Sequence, residues 1–190
     1  MRNRKVRILC ECAIMVALAF AMSCIKLFQM PLGGSVTLAS MLPIMLISIR
    51  HGTVIGLGTG FVYSITQLIQ AIAEGDVFIY CETAGIVVLC VLFDYIIPFT
   101  ALGLAGIFRD LKIVKKSELA CYIGFVLAVF TRFVCHYITG VAIWGQWAEM
   151  NKYLYSFLYN GSYLGVDLII CLAVSFFMIR SKEIKKILSI

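Results

Sequence analysis

Charge is scarce in this sequence. Only 14% of its 190 residues are Asp, Glu, Lys or Arg, against roughly 25% in an ordinary soluble domain. That scarcity excludes a soluble globular protein and a disordered tail. Enzyme signatures are missing too: there is no phosphate-binding P-loop, no His-Glu-x-x-His and no Gly-x-Ser-x-Gly. A chain without a nucleotide motif cannot power active transport by itself. Ser162 and His136 could be imagined as an intramembrane protease pair, but nothing in their flanking residues supports one. The connections between apolar runs leave no room for a soluble catalytic domain, so the reading is not an enzyme. The eight cysteines (10, 12, 24, 81, 90, 121, 135 and 171) follow no zinc spacing. Most fall inside apolar runs, where Cys acts as a small hydrophobe; they read as reduced packing residues, with no metal and no cofactor implied.

What is abundant is apolar surface. The chain is 62% hydrophobic, with a mean hydropathy of +1.00. That is about 118 apolar residues, close to the ~120 that six membrane-spanning helices of ~20 residues require. The expected fold is an all-α integral membrane protein, one six-helix bundle over residues 1–190. Apolar runs place the spans at 8–27, 37–49, 53–73, 84–108, 119–143 and 157–179. The second is short for a full crossing. The loop from Phe28 to Ser35 reads as non-helical from Pro31 and the Gly33-Gly34 pair. Arg50-His51-Gly52 reads as a tight turn, Glu74 to Asp76 as a polar break, and 77–83 as ambiguous. The N-terminus imitates a secretory signal, but Ala21-Met22-Ser23 before Cys24 is a poor processing site and further spans follow. It reads as a retained first helix.

The net charge of +6 is distributed as a membrane-topology signal. Basic clusters at 2–7, 109–116 and 180–186 each flank a long apolar stretch, which argues against nucleic-acid binding. With six spans, thirteen of the sixteen basic residues fall on the side of both termini, only Lys26 and Lys152 on the other, and Arg132 within a span. The basic side is cytoplasmic by the positive-inside rule. Five spans with a re-entrant second segment would split the basic clusters between the two sides.

Two stripes of small residues recur at helix-packing spacing, Ala13-xxx-Ala17-xxx-Ala21 and Gly52-xxx-Gly56-xxx-Gly60. Such stripes let backbones approach closely. The glycines read as internal packing. The alanine face suits either internal packing or a partner protein.

Ionisable groups inside a span are costly and therefore functional candidates. Counting from the outer ends at ~1.5 Å per residue puts Asp94, Arg132 and Asp167 each ~15 Å deep, His136 ~9 Å and Asn160 ~5 Å. Two carboxylates and one guanidinium leave a net −1, which suits a ligand carrying one positive charge; a purely structural Asp–Arg pair with the other Asp protonated is the alternative. Arg132, His136, Gly140 and Trp144 are spaced by four along one face of the fifth span. Gly140 leaves a gap where a flat ring could lie, with Trp144 and His136 placed to stack on a cationic ring. Trp147 and Tyr153 read as interfacial belt residues, whereas Tyr155 and Asn160 lie near the cavity mouth.

The ordered set resembles the thiamine-specific S-components of energy-coupling factor (ECF) vitamin transporters over nearly the whole chain. It runs from Glu11-x-Ala13-xxx-Ala17-x-Ala19-Phe20 through Gly33-Gly34-Ser35-Val36-Thr37-Leu38, Met41-x-Pro43-Ile44, Arg50-His51-Gly52, Asp94-Tyr95 and 103–109. It ends with Arg132-xxx-His136-xxx-Gly140-xxx-Trp144 and Tyr155-xxxx-Asn160-Gly161. The fifth-span pattern with Tyr-xxxx-Asn-Gly is its most specific part. The resemblance implies a plasma-membrane subunit, of a bacterium, that binds thiamine near its outer face. The contacts it implies are Asp94, Tyr95, Arg132, His136, Gly140, Trp144, Tyr155 and Asn160. It also implies that Ala13 and Ala17 dock on a transmembrane coupling subunit carrying two cytoplasmic ATPases. Asp94 and Arg132 stand where some relatives have Glu and Lys. The first outer loop offers only Phe28 where some relatives place a Trp. Asp167 has no family counterpart and stays a possible charge partner on depth alone. The alternative function is a self-sufficient, cation-coupled thiamine transporter.

Overall fold

The structure is a computed structural model that describes residues 2–30, 33–75, 78–188 and 190. Pro31 and Leu32 of the first loop, and Asp76 and Val77 of the polar break, lie outside the described residues. The helices are α1 (Arg2–Ser23), α2 (Leu42–His51) and α3 (Thr53–Glu74), then α4 (Ala84–Asp110), α5 (Ser117–Ala142), α6 (Lys152–Arg180) and α7 (Lys182–Leu188). Five of them (α1 from Asn3, α3, α4, α5 and α6) are long and apolar enough to cross a membrane.

The second expected span is corrected. Helix α2 starts at Leu42, not at residue 37, and its ten residues reach only about 15 Å. The segment before it is a strand, β2 (Ser35–Thr37), paired antiparallel with β1 (Lys26–Gln29). The first span is therefore also shorter than 8–27: α1 stops at Ser23, whose hydroxyl turns back to the Phe20 carbonyl at 2.7 Å, and Lys26 and Leu27 are strand. The chain leaves β2 through Ala39, held at φ +54 and fully packed, an uncommon conformation for a residue with a Cβ. Leu42 N–H bonds the Ala39 carbonyl at 2.9 Å, and Pro43 sits in the first turn of α2, where its missing N–H costs nothing. Every residue from Leu42 to Ile49 is buried, so α2 is a short core helix walled in by the longer ones.

The glycine stripe packs internally at two positions. A Cβ on Gly56 would come within 2.4 Å of the Ser48 Cβ, and one on Gly60 within 2.8 Å of the Phe99 and Thr100 carbonyl oxygens. Gly58 faces open space. Gly52, at φ +93, makes the α2–α3 turn, and Asp110 accepts the Thr53 N–H at 2.7 Å to cap α3.

Helix α4 is not uniformly α. It widens to a π segment at Val91–Ile96 and tightens to 3₁₀ at Ala101–Gly106. Pro98 supplies no N–H to the Asp94 carbonyl four residues earlier, so the regular ladder cannot close there. The break leaves Asp94 and Tyr95, adjacent in sequence, both facing the cavity described below.

At the opposite end of the bundle, Arg109 binds the Leu188 carbonyl at 2.9 Å and the Ile49 carbonyl. Glu11 meets Arg50 and His51 at 3.1 and 2.7 Å. The ends of α2 and α4, helix α7 and the basic clusters therefore share one end. Helix α6 begins at Lys152 rather than 157 and runs to Arg180. Asp167 is thus roughly 22 Å along the helix and lies beside the root of the hairpin, where it meets Thr37.

Candidate functional site

A cavity of about 760 Å³ opens at the end of the bundle away from the basic clusters, between the β1–β2 hairpin, α3, α4, α5 and α6. All eight sequence-predicted contacts border it: Asp94, Tyr95, Arg132, His136, Gly140, Trp144, Tyr155 and Asn160. Asp167 borders it as well.

Its centre is a hydrogen-bonded relay. Arg132 Nε donates to His136 Nε2 at 3.2 Å. A guanidinium can only donate, so Nε2 must accept, and the imidazole is neutral with its proton on Nδ1. That N–H donates to Asp94 Oδ1 at 2.9 Å. Asp94 also accepts from the Thr139 hydroxyl, from Trp144 Nε1 at 3.3 Å and from the Cys90 thiol at 3.6 Å. Four donors orient a carboxylate that is 8% exposed. The Arg132 guanidinium lies 4.3 Å above the Phe99 ring, so its positive charge rests on an aromatic face as well as on His136.

This arrangement corrects the expected single network of Asp94, Arg132 and Asp167. Among the described residues no ion pair joins Arg132 to either aspartate; His136 stands between Arg132 and Asp94. Asp167, 1% exposed, is engaged elsewhere. Its Oδ1 accepts the Thr37 backbone N–H at 2.9 Å, while the Thr37 hydroxyl pairs with Ser40 at 2.7 Å. A hairpin invisible to span counting supplies the partner that the depth argument assigned to Arg132.

Gly140 is corrected too. Its missing side chain does not leave a slot for a flat ring: a Cβ there would meet Ser156 Oγ at 2.1 Å and Asn160 Nδ2 at 2.9 Å. The glycine lets α6 close onto α5. Asn160, buried in that contact, donates to the His136 carbonyl at 3.1 Å and accepts from Tyr163 at 3.2 Å. It thereby ties α6 to the turn carrying the relay histidine. Trp144 lies beyond the end of α5, in a 3₁₀ turn over Trp144–Trp147. Tyr80 meets both indoles edge-on, at 5.4 Å from Trp144 and 5.8 Å from Trp147. Trp147 and Tyr153 are more than half exposed, and neither borders the cavity.

Tyr163, Gln67 and Gln70 line the cavity without having been singled out in the sequence. Tyr163 extends Tyr155 and Tyr159 into a ladder on α6, with ring centroids 5.3 and 5.9 Å apart; the spacing by four was a visible signal. Tyr159 OH accepts the Gly34 N–H at 2.8 Å and fastens the hairpin. Gln67 and Gln70 on α3 reach Ser23, and Lys26 pairs with Glu74 at 3.1 Å. Gln29 and Met30 line the cavity from the hairpin, while Phe28, 63% exposed, points away.

The cavity combines an oriented carboxylate, an aromatic wall and amide and hydroxyl donors. It suits a flat, polar ligand bearing positive charge, and among the described residues no group of three or more His, Cys, Asp or Glu could hold a metal ion.

The model of the family described as Thiamine transporter protein (Thia_YuaJ) matches residues 9–187. The chain is 35% identical over 177 residues to the thiamine transporter ThiT of Bacillus subtilis, covering 87% of this chain and 86% of that one. It is 32% identical over 132 residues to the thiamine transporter ThiT of Lacticaseibacillus paracasei, covering 64% and 61% respectively. A solved structure of ThiT from Listeria monocytogenes superposes with a TM-score of 0.77 at 21% identity, over 98% of this chain and 99% of that one; this likeness shows the fold.

Proposed function

The chain belongs to the thiamine transporter protein family Thia_YuaJ, and from that premise we propose that it is the thiamine-binding S-component of an ECF-type uptake system. It is a multi-pass cell-membrane protein that serves thiamine transport. In this reading residues 1–190 form one transmembrane domain, with the hairpin and α2 together making the second crossing. Both termini are then cytoplasmic, and the cavity opens outward.

The observation that carries the binding reading is Asp94. It is buried, oriented by four donors and bordered by an indole, yet among the described residues no cationic side chain is in direct contact with it. With neutral His136, the charges of Asp94, Arg132 and Asp167 leave the cavity at about −1. The thiazolium of thiamine carries one fixed positive charge. Asp94 meets that charge, Trp144 and the tyrosine ladder supply ring contacts, and Asn160 and Tyr95 fix orientation at the walls. Arg132 acts through His136, holding its tautomer. None of these roles makes or breaks a covalent bond in the ligand.

Transport needs an energy source that the chain lacks. Ala13, Ala17 and Ala21 are all exposed on α1, the least enclosed of the five long helices, with 17% of its apolar window buried. That flat face supports docking on a transmembrane coupling subunit with two cytoplasmic ATPases. A tryptophan-fluorescence titration of the purified chain with a vitamin panel tests the binding reading: saturable quenching by thiamine alone is expected, and a response to another vitamin instead would refute it. Uptake into vesicles by the chain alone under an imposed proton gradient would establish the self-sufficient transporter in place of the S-component.

A further inference from the structure

Two thiols lie behind the Asp94 wall. Cys81 is half-buried in the turn that precedes α4, and Cys90 is fully buried within α4. Cys81 packs with Cys90, Ile143, Tyr80 and Trp144 in one cluster, where the two thiols interact directly. Cys90 in turn donates to Asp94 Oδ2 at 3.6 Å, the same oxygen that Trp144 Nε1 reaches at 3.3 Å. Neither cysteine lines the cavity. They stand next to it, at the end of the bundle away from the basic clusters.

We propose that Cys81 and Cys90 are an oxidisable pair whose disulfide weakens ligand binding in the adjoining cavity. The binding half of this rests on the thiamine reading. The oxidant is a low-molecular-weight disulfide on the outer side. Cys81, the accessible member, loses its proton and attacks one sulfur of that disulfide, forming a mixed disulfide and releasing one small thiolate. Cys90 then loses its proton and attacks the Cys81 sulfur, expelling the second small thiolate. The two cysteines give up two electrons, and the two released thiolates take up the two protons as thiols.

Geometry gives the direction of the effect. A disulfide is shorter than a packing contact between two sulfurs by on the order of 1–2 Å. Cys90 is fixed in a helix, so the turn carrying Cys81 must move. Tyr80 travels with it, and its ring is in edge contact with both Trp144 and Trp147. Closing the bond also removes the thiol donor from Asp94. Both changes disturb the wall that orients the carboxylate and the indole.

The full chain, purified in detergent under reducing conditions, is incubated with glutathione disulfide. It is then measured by intact mass, by chymotryptic peptide mapping and by tryptophan titration with thiamine. The expected product has lost two hydrogens, joins Cys81 to Cys90, and binds thiamine about fivefold or more weaker, the scale of one disturbed ring contact. Dithiothreitol restores it. Cys81→Ser binds as the reduced parent does and keeps that affinity after the oxidant, whereas Cys90→Ala stops at the mixed disulfide on Cys81 and forms no intramolecular link. A mixed disulfide that never resolves onto Cys90, a Cys81–Cys90 link that leaves affinity unchanged, or an affinity loss that persists in Cys81→Ser each overturns the proposal. If the reduced protein fails to bind thiamine, the thiamine reading falls, and the mass and peptide map still decide whether the pair forms.

Discussion

His136 donates its Nδ1–H to Asp94 at 2.9 Å because Arg132 occupies its other ring nitrogen at 3.2 Å. The consequence is a carboxylate held beside a neutral ring rather than a cation. Among the described residues no cationic side chain touches it, and the arginine orients it through His136.

Removing that charge tests its role. Asp94→Asn should weaken thiamine binding by about 30-fold or more, since truncating one partner of a buried charge pair costs ~2–5 kcal/mol, at ~1.4 kcal/mol per tenfold. Calorimetric titration checks it. Unchanged affinity would mean that the carboxylate does not meet the thiazolium.

Asp167 should behave differently, because its partner is the Thr37 amide and not Arg132. Asp167→Asn keeps a carbonyl acceptor for that N–H and should bind thiamine better than Asp94→Asn does. Asp167→Leu leaves the Thr37 N–H unsatisfied in the core and should lose about 1–3 kcal/mol of stability. Thermal unfolding of the two variants in detergent separates the cases; equal melting temperatures would place the carboxylate's role elsewhere.

The two indoles can be told apart. Trp144 borders the cavity and binds Asp94, whereas Trp147 is 57% exposed. Trp144→Phe should remove most of the thiamine-induced quench, and Trp147→Phe should leave it. The reverse pattern in a fluorescence titration would exchange their roles.

Docking is tested on the exposed alanines. Ala13→Trp or Ala17→Trp should block thiamine uptake by cells while the purified variant binds thiamine normally, because small residues one turn apart permit close backbone approach. Joint loss of uptake and binding would place the stripe inside this subunit.

Gly140 reports on helix contact. Gly140→Ala puts a methyl into Ser156 and should cost about 1–3 kcal/mol as overpacking. Ser156→Ala in the same chain should restore part of it. A stable Gly140→Ala with weakened binding would instead return Gly140 to the role of a ring slot.

The sequence by itself determined the class of protein, the five long helices, the end of the bundle that carries the basic charge, and the in-span polar groups Asp94, Arg132, His136, Asn160 and Asp167 that border one cavity; Tyr95 came from the family resemblance alone. Those features are written in hydropathy, in charge placement and in side chains whose chemistry is costly inside a bilayer. It did not determine the β1–β2 hairpin or the start of α2. Leu27 and Val36-Thr37-Leu38 read as span ends, but strand pairing, Ala39 at positive φ and the anchors Asp167 and Tyr159 hold them out of helix. It also could not say which partner each buried ion takes. Spacing by four puts Arg132 and His136 on one helix face, but whether Arg132 meets a carboxylate, a ring or an imidazole depends on the helices packed against α5. The π segment at Asp94 and the closure of α6 onto Gly140 were decided there, by backbone contacts between distant parts of the chain that no single-helix periodicity encodes.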